Sequence, residues 1–323
     1  MNGDEASEEA ILRAADLLAH GGLVAFPTET VYGLGADASN EAAVRRIFLA
    51  KGRPADHPVI VHVAGSAQLA SWVRHVPEPA RRLAEAFWPG PLTMVLERAE
   101  HVLDIITGGQ NTVGIRVPSH PVAQKMLRAF GGGVAGPSAN RFGHVSPTTA
   151  AHVRAEFGDS LDMILEGGQS EVGIESTIVD LSRGHPFLLR PGIISVEQLE
   201  AVLGETVRRP DAHSPRASGT LASHYAPTTP TRLVAPDALE RTLAIAGVRV
   251  GVLARRPRGA NLSAAVWVEA PDDAGRYAHE LYADLRYLDT SRCDLILVEQ
   301  VPDSREWDAI RDRIGRAASP ERN

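Results

Sequence analysis

The chain is nearly without cysteine. Cys293 is the only one in 323 residues, which excludes an intramolecular disulfide and any thiolate metal cage. Lysine is almost as scarce: of 33 Lys and Arg residues only Lys51 and Lys125 are lysine, so a lysine one residue from Arg53 suggests a task for a compact ammonium. No apolar run approaches the roughly 20 residues of a membrane helix. The acidic start MNGDEASEEA has the character of neither a secretion signal nor a transit peptide, and the expected location is cytoplasmic. The familiar nucleotide fingerprints are missing too. Residues 131–136 have phosphate-loop glycine spacing but continue into Pro137-Ser138, and Gly33-Leu34-Gly35 lacks the third glycine of a dinucleotide motif. There is no HExxH and no GxSxG. A net charge of −7 argues against a protein that lives on non-specific nucleic-acid contact. An anionic small molecule in a cationic cleft fits better.

What is present reads as α/β. Hydrophobic content of 44% and charged content of 23% are those of a globular protein, long enough for two domains. Short β-branched runs predict strands at 23–26, 59–63, 93–96, 112–116, 134–135, 163–166, 176–180 and 187–189. Amphipathic spacing and caps predict helices from Ser7 to His20 and at 40–50, 79–87, 121–130, 149–157 and 196–203. The strand-rich middle with hairpin-like connections implies a mixed, twisted sheet with flanking helices. Residues 209–230 lose all periodicity and mark a linker. Strands at 233–234, 248–253, 265–268 and 295–298, alternating with helices at 236–246, 272–288 and from about 305, predict a second, smaller Rossmann-like α/β domain.

Four polar clusters stand beside predicted strand ends. They are Thr28-Glu29-Thr30 with Tyr32; Lys51-Gly52-Arg53 with His57 and His62; Thr112 with Arg116; and Gly136-Pro137-Ser138-Ala139-Asn140 with Ser146 and Thr148. Turn capping, or a histidine packed for structure, would use the same residue types one at a time. Alternation puts Thr112, Gly114 and Arg116 on one strand face opposite Val113 and Ile115, and a buried arginine needs an anion partner. With Ser176 and Arg190, the clusters gather four cations (Lys51, Arg53, Arg116, Arg190) among hydroxyls that suit phosphate oxygens.

The segments PTETVYGLG, AKGRPADHPVIVHV, FWPGPLTMVL, NTVGIRVPSHP, GPSANRFGHVSPT, GGQSEVGIESTIVDL and LLRPG, in this order, closely resemble the threonylcarbamoyl-AMP synthase family. The long form is indicated, with a YrdC-like catalytic domain at 8–208, a linker or lid at 209–230 carrying His224-Tyr225-Ala226-Pro227, and a C-terminal Sua5 domain at 231–323. The resemblance implies that L-threonine, bicarbonate and ATP give threonylcarbamoyl-AMP and pyrophosphate, with Mg²⁺ carried on the triphosphate, and that a downstream transferase uses the product to modify tRNA. It implies Thr30, His62, Arg116, Gly136 and Ser176 for threonine. It implies Arg53, His57, Thr112, Ser138, Asn140, Ser146, Arg190 and Tyr225 for ATP, and Lys51 beside the phosphates, with Lys51 and Arg53 catalytic.

Three departures from the family pattern stand out: His57 for a common Asn, Gly136 for a common Ala, and Ala217-Ser218-Gly219-Thr220 for a common Ser-Pro-Gly-Met. The Gly136 change should matter little if only backbone is used, and Lys51→Ala or Arg116→Ala should remove product while leaving the fold intact. The alternatives are an RNA-binding module and a related carbamoyl-adenylate-forming enzyme; membrane association and strong nucleic-acid binding are not expected.

Overall fold

Ser7 caps the first helix of the computed structural model, accepting the Ala10 N–H at 3.2 Å. The structure describes residues 6–221, 224–260 and 262–319, so the first five residues of the acidic start lie outside it. Two units divide the chain, one of residues up to 142 with 147–220, the other of 143–146 with residues from 221 onward. The aperiodic segment 209–230 is thus shared between them. Among the described residues no helix is long and apolar enough to cross a membrane.

The first unit runs α1 (Glu8–Ala19), β1 (Val24–Phe26), β2 (Gly33–Asp37), α2 (Glu41–Lys51), β3 (Ile60–His62), α3 (Glu78–Phe87), β4 (Leu92–Glu97), α4 (Asp104–Thr107), β5 (Thr112–Arg116), α5 (Pro121–Phe130), β6 (Val134–Ala135), α6 (Ala150–Phe157), β7 (Met163–Ile164), β8 (Thr177–Asp180), β9 (Phe187–Arg190) and α7 (Val196–Leu203). The strands form one mixed nine-stranded sheet in the order β7-β1-β2-β6-β3-β5-β4-β8-β9. Strand β2 carries no β-branched signature, and the sequence does not predict it. Its glycines are there for space: a Cβ at Gly33 would lie 3.0 Å from the Phe26 ring, and one at Gly35 2.9 Å from Val134.

Alternation along these strands decides where a cleft can form. Ala25, Ala135, Met94, Val113 and Ile115 join the large core with Ile47, Leu83 and Leu199 of α2, α3 and α7. Val24, Phe26 and Val134 point the other way and pack under Ile11, Leu18, Val122 and Met126 of α1 and α5. Register carries that second face across the sheet, because His62 pairs with both Val134 and Arg116, and Gly114 with both Ile60 and Val95. Helices α1 and α5 cover the β1–β2–β6 half of this face. On the β3–β5–β4–β8 half, residues 216–218 lie over Ile60, Thr93, Val95, Thr112, Gly114 and Ile178 instead of a helix, leaving a cavity of about 20 Å³.

The second unit contains β10 (Thr231–Val234), α8 (Leu239–Ile245), β11 (Val250–Ala254), β12 (Val266–Glu269), α9 (Ala274–Thr290), β13 (Leu295–Glu299) and α10 (Asp308–Ala317). Its four strands are all parallel, in the order β10-β13-β11-β12, and Val252, Leu297 and Leu239 center its core. This is the expected second α/β domain.

Candidate active site

Arg116 ends β5 on the open half-face and is buried. Its Nε donates to Gly90 O at 3.3 Å and its Nη1 to Thr30 Oγ1 at 2.8 Å. Its Nη2 lies 2.7 Å from Glu29 Oε1, the anion partner that a buried arginine requires. Glu29 is fixed in turn by the Ser119 N–H at 3.0 Å. Two of the five guanidinium N–H groups donate hydrogen bonds, and Nη2, though paired by charge with Glu29, makes none, which leaves N–H groups for a ligand carboxylate. The Thr28 hydroxyl donates to Val31 O at 2.6 Å, so the Thr30 hydroxyl is the donor across their 2.9 Å contact, while it accepts from Arg116. The PTET turn is therefore a rigid bracket around the guanidinium.

His62 sits next to Arg116 in register. Burial, and then the Arg116 charge, hold its pKa down at about 3, so the imidazole is neutral. Its Nδ1 is buried with no hydrogen-bond partner among the described residues, which leaves it for a ligand. A Cβ on Gly136 would come within 2.8 Å of this nitrogen and 3.2 Å of Phe26. The expectation that Gly136 could be alanine with little effect is thereby corrected: in this chain His62 occupies that space. The Gly136 N–H donates to Ile60 O at 2.9 Å, so a backbone contact to a ligand falls to its carbonyl.

Lys51 is the last residue of α2, followed by Gly52 in the left-handed conformation, φ 63°. Its buried amino group donates to Ser138 O and Asn140 O, each at 2.5 Å. The Lys-x-Arg and Ser-x-Asn segments are thus joined directly. Burial, then the Arg53 charge, push the Lys51 pKa well below the usual lysine range. Arg53 donates to Pro58 O at 2.8 Å and stands over the Phe142 ring at 5.8 Å. His57 meets the same ring edge-on at 5.3 Å, its pKa lowered by burial and by Arg53.

Arg190 closes the other end. Its Nε and Nη2 donate to Ser176 O at 3.1 and 3.0 Å, its Nη2 also to Ser176 Oγ at 3.2 Å, and its Nη1 to Ser218 O at 2.8 Å. Ser176 Oγ lies 2.8 Å from Thr93 Oγ1. The Ser218 hydroxyl donates to Pro58 O at 2.7 Å, the same carbonyl that Arg53 uses. A proline at position 218, common in the family pattern, would lack that bond.

The first unit brings together Thr30, His62, Arg116 and Gly136 in one group, Lys51, Ser138 and Asn140 in a second, and Ser176 with Arg190 in a third. Thr112 lines the small cavity under residues 216–218. Ser146 and Tyr225 belong to the second unit. There Tyr225 is buried with φ 60°, its ring under the Arg313 guanidinium at 5.3 Å and beside Tyr282. Arg286 donates to the carbonyls of Val145 and Ser146. Tyr32 is structural: its hydroxyl bonds Gly168 O and the Gly167 N–H, and burial raises its pKa to about 12. Sequence reasoning gave no role to Glu29 as partner of Arg116, to Thr93 or to Ser218. Only Glu29 left a signal, an acid beside Thr30 in a chain whose core strand ends in arginine.

A mixed sheet with half of one face free of helices, ringed by Lys-x-Arg, Ser-x-Asn and a buried Arg–Glu pair, defines a YrdC-type domain. Residues 16–192 match the Sua5-YciO-YrdC family model, described as "Telomere recombination", and residues 194–319 match that of the threonylcarbamoyl-AMP synthase C-terminal domain. The threonylcarbamoyl-AMP synthase of Pyrococcus abyssi is 40% identical, covering 98% of this chain and 97% of its own length. That of Bacillus subtilis is 39% identical over 97% and 94%. The crystal structure of P. abyssi Sua5 complexed with L-threonine superposes with a TM-score of 0.90 at 39% identity, covering 97% of this chain and 95% of that one. The chain belongs to the threonylcarbamoyl-AMP synthase family, in the long Sua5 form with both YrdC and Sua5 C-terminal domains.

Proposed function

We propose that the first unit makes threonylcarbamoyl-AMP and pyrophosphate from L-threonine, bicarbonate and ATP, for threonylcarbamoyladenosine modification of tRNA. The Arg116–Glu29–Thr30 bracket carries this reading. To a carboxylate it offers guanidinium N–H groups that donate no hydrogen bond within the protein, beside a neutral histidine, as an α-amino acid needs.

The threonine amine adds to bicarbonate with loss of water, giving a carbamate. A carbamate oxygen attacks the α-phosphorus, and the α–β bridging oxygen leaves with pyrophosphate. No covalent enzyme intermediate is needed, so positioning and charge neutralization do the catalysis. Arg116, Thr30, the Gly136 carbonyl and Ser176 hold threonine, with His62 Nδ1 turned to its amine or hydroxyl. Arg53, His57, Thr112, Ser138, Asn140 and Arg190 serve ATP, and Lys51 stabilizes the charge that develops as pyrophosphate departs. Among the described residues no three His, Cys, Asp or Glu side chains are grouped to hold a metal ion. The cations and hydroxyls present instead fit magnesium borne on the triphosphate, where it would add positive charge to the leaving group. Residues 216–218 must lift from the sheet for nucleotide to reach Thr112.

A downstream tRNA-modifying transferase would consume the adenylate, and a cytoplasmic location accords with the lone cysteine. The test is product analysis by mass spectrometry with the full chain. Threonylcarbamoyl-AMP should form only when ATP, threonine and bicarbonate are all present. Adenylate formation from carbamoyl phosphate instead would overturn the reading.

A further inference from the structure

The parallel sheet of the second unit has a point where its connections diverge. After β11 the chain runs outward to β12, whereas after β13 it runs the opposite way, to α10 packed on β10. Such a divergence opens a crevice at the carboxyl ends of the two strands, the place where parallel α/β sheets take ligands. Helices α9 and α10 both begin at this edge, since each follows a strand of the sheet, and their N-terminal dipoles favor negative charge there.

The side chains at this point are out of keeping with a simple packing role. Arg255, directly after β11, stands over the Trp307 ring at 5.3 Å, and Tyr277 of α9 meets that ring edge-on at 5.4 Å. Tyr277 is 1% exposed, yet its hydroxyl has no hydrogen-bond partner among the described residues, and neither has the buried Nε of Arg255. Phenylalanine would fill the same space without burying a stranded hydroxyl. Burial raises the tyrosine pKa, which keeps the hydroxyl a donor.

Four acids lie near: Asp273, Asp284, Glu299 and Asp272. Asp273 caps α9 by accepting the Arg276 N–H at 2.9 Å. Asp284, two turns along α9, adds to burial in raising the Tyr277 pKa, while its own is raised to about 7, first by burial, which reduces its charge. Glu299, ending β13, accepts the Arg255 N–H at 2.9 Å and lies 3.1 Å from Arg256 Nε. Asp272, exposed, reaches Arg255 Nη1 only at 3.5 Å. Arg256 is further tied to Pro236 O.

We propose that this crevice binds the phosphoryl group of a small molecule, free or on a nucleotide, with Arg255 and Tyr277 as donors and Trp307 as the wall. The proposal does not depend on the reaction assigned to the first unit.

The test is hydrogen–deuterium exchange on the full chain, with pyrophosphate and with AMP as separate probes. Protection at 253–258, 274–280 and 299–308 is expected. Protection by both probes supports a phosphoryl site, and protection by AMP alone supports a nucleotide site in which the Trp307 ring contributes. Tyr277→Phe should melt no lower than the parent and need at least tenfold more probe for half protection; Arg255→Gln should need still more. The proposal is overturned if neither probe protects these segments. It is equally overturned if protection is confined to 51–62 and 112–116, or if Tyr277→Phe melts lower with undiminished protection.

Discussion

Arg116 Nη2 and Glu29 Oε1 lie 2.7 Å apart with both side chains buried. The guanidinium that receives substrate in the proposed reaction is therefore part of a structural ion pair. Placed beside this neutral pair, a threonine carboxylate gains the unused N–H groups but also faces Glu29. The bracket thus rewards a ligand that uses the fork geometry and discriminates against a loosely placed anion.

This pair revises the expectation that Arg116→Ala spares the fold. Removing either partner leaves an uncompensated buried charge, so Arg116→Ala and Glu29→Ala should each destabilize by about 3–5 kcal/mol. The double variant should cost less than their sum. Arg116→Lys retains the charge for Glu29 but not the fork, and should raise the KM for threonine about tenfold to a hundredfold. Urea unfolding and threonine-dependent kinetics on the four variants check this.

His62 contributes a pH dependence with a definite sign. Its folded pKa, about 3, lies below the unfolded value of about 6.5, so its contribution to stability is complete above pH 6.5. As pH falls from there toward 3, the unfolded state takes up a proton that the folded state refuses. Stability then drops by about 1.4 kcal/mol per pH unit from this group. Urea midpoints measured between pH 4 and 7 should fall less steeply in His62→Gln.

Lys51 predicts proton uptake on nucleotide binding. Its pKa is depressed in the free protein, and a triphosphate beside it favors the ammonium. ATP affinity should accordingly weaken as pH rises through the depressed pKa of the free form. Titration calorimetry in buffers of different ionization enthalpy should register net proton uptake, absent in Lys51→Met. The same variant should lower turnover about 10²- to 10³-fold, as loss of a transition-state donor does.

Gly136 sets the position of His62. Gly136→Ala introduces a methyl 2.8 Å from His62 Nδ1, so the imidazole must move away from the threonine group. The expected result is a rise in threonine KM of about tenfold with ATP KM unchanged, read from initial rates with each substrate varied.

Where alternation or capping is strong, the sequence and the structure agree: β5 spans 112–116 and α5 121–130 in both, and α7 carries the capping box of Ser195 and Gln198. Strand β2 was hidden because its residues were selected for lack of side chain under Phe26, not for β propensity. The four-residue helix α4 is too short to show a period. In the site, the motif segments were legible as motifs, but their bonds were not. Ser138 and Asn140 meet Lys51 through carbonyl oxygens, which any residue carries, so side-chain identity is silent about that contact. Ser218 lies in an aperiodic stretch held over the sheet by its own bonds to Pro58 and Arg190 and by those of Arg216 to Gln110 and Gly108.

The measurement that tests the account most directly is pyrophosphate release from ATP and bicarbonate with L-threonine against L-threoninamide. Threoninamide retains the amine and hydroxyl but offers no carboxylate to Arg116. Release with threonine should exceed that with the amide by about two orders of magnitude, the loss expected for a charge-assisted fork. Equal release from the two would contradict the assignment of the Arg116–Glu29–Thr30 bracket as the threonine site.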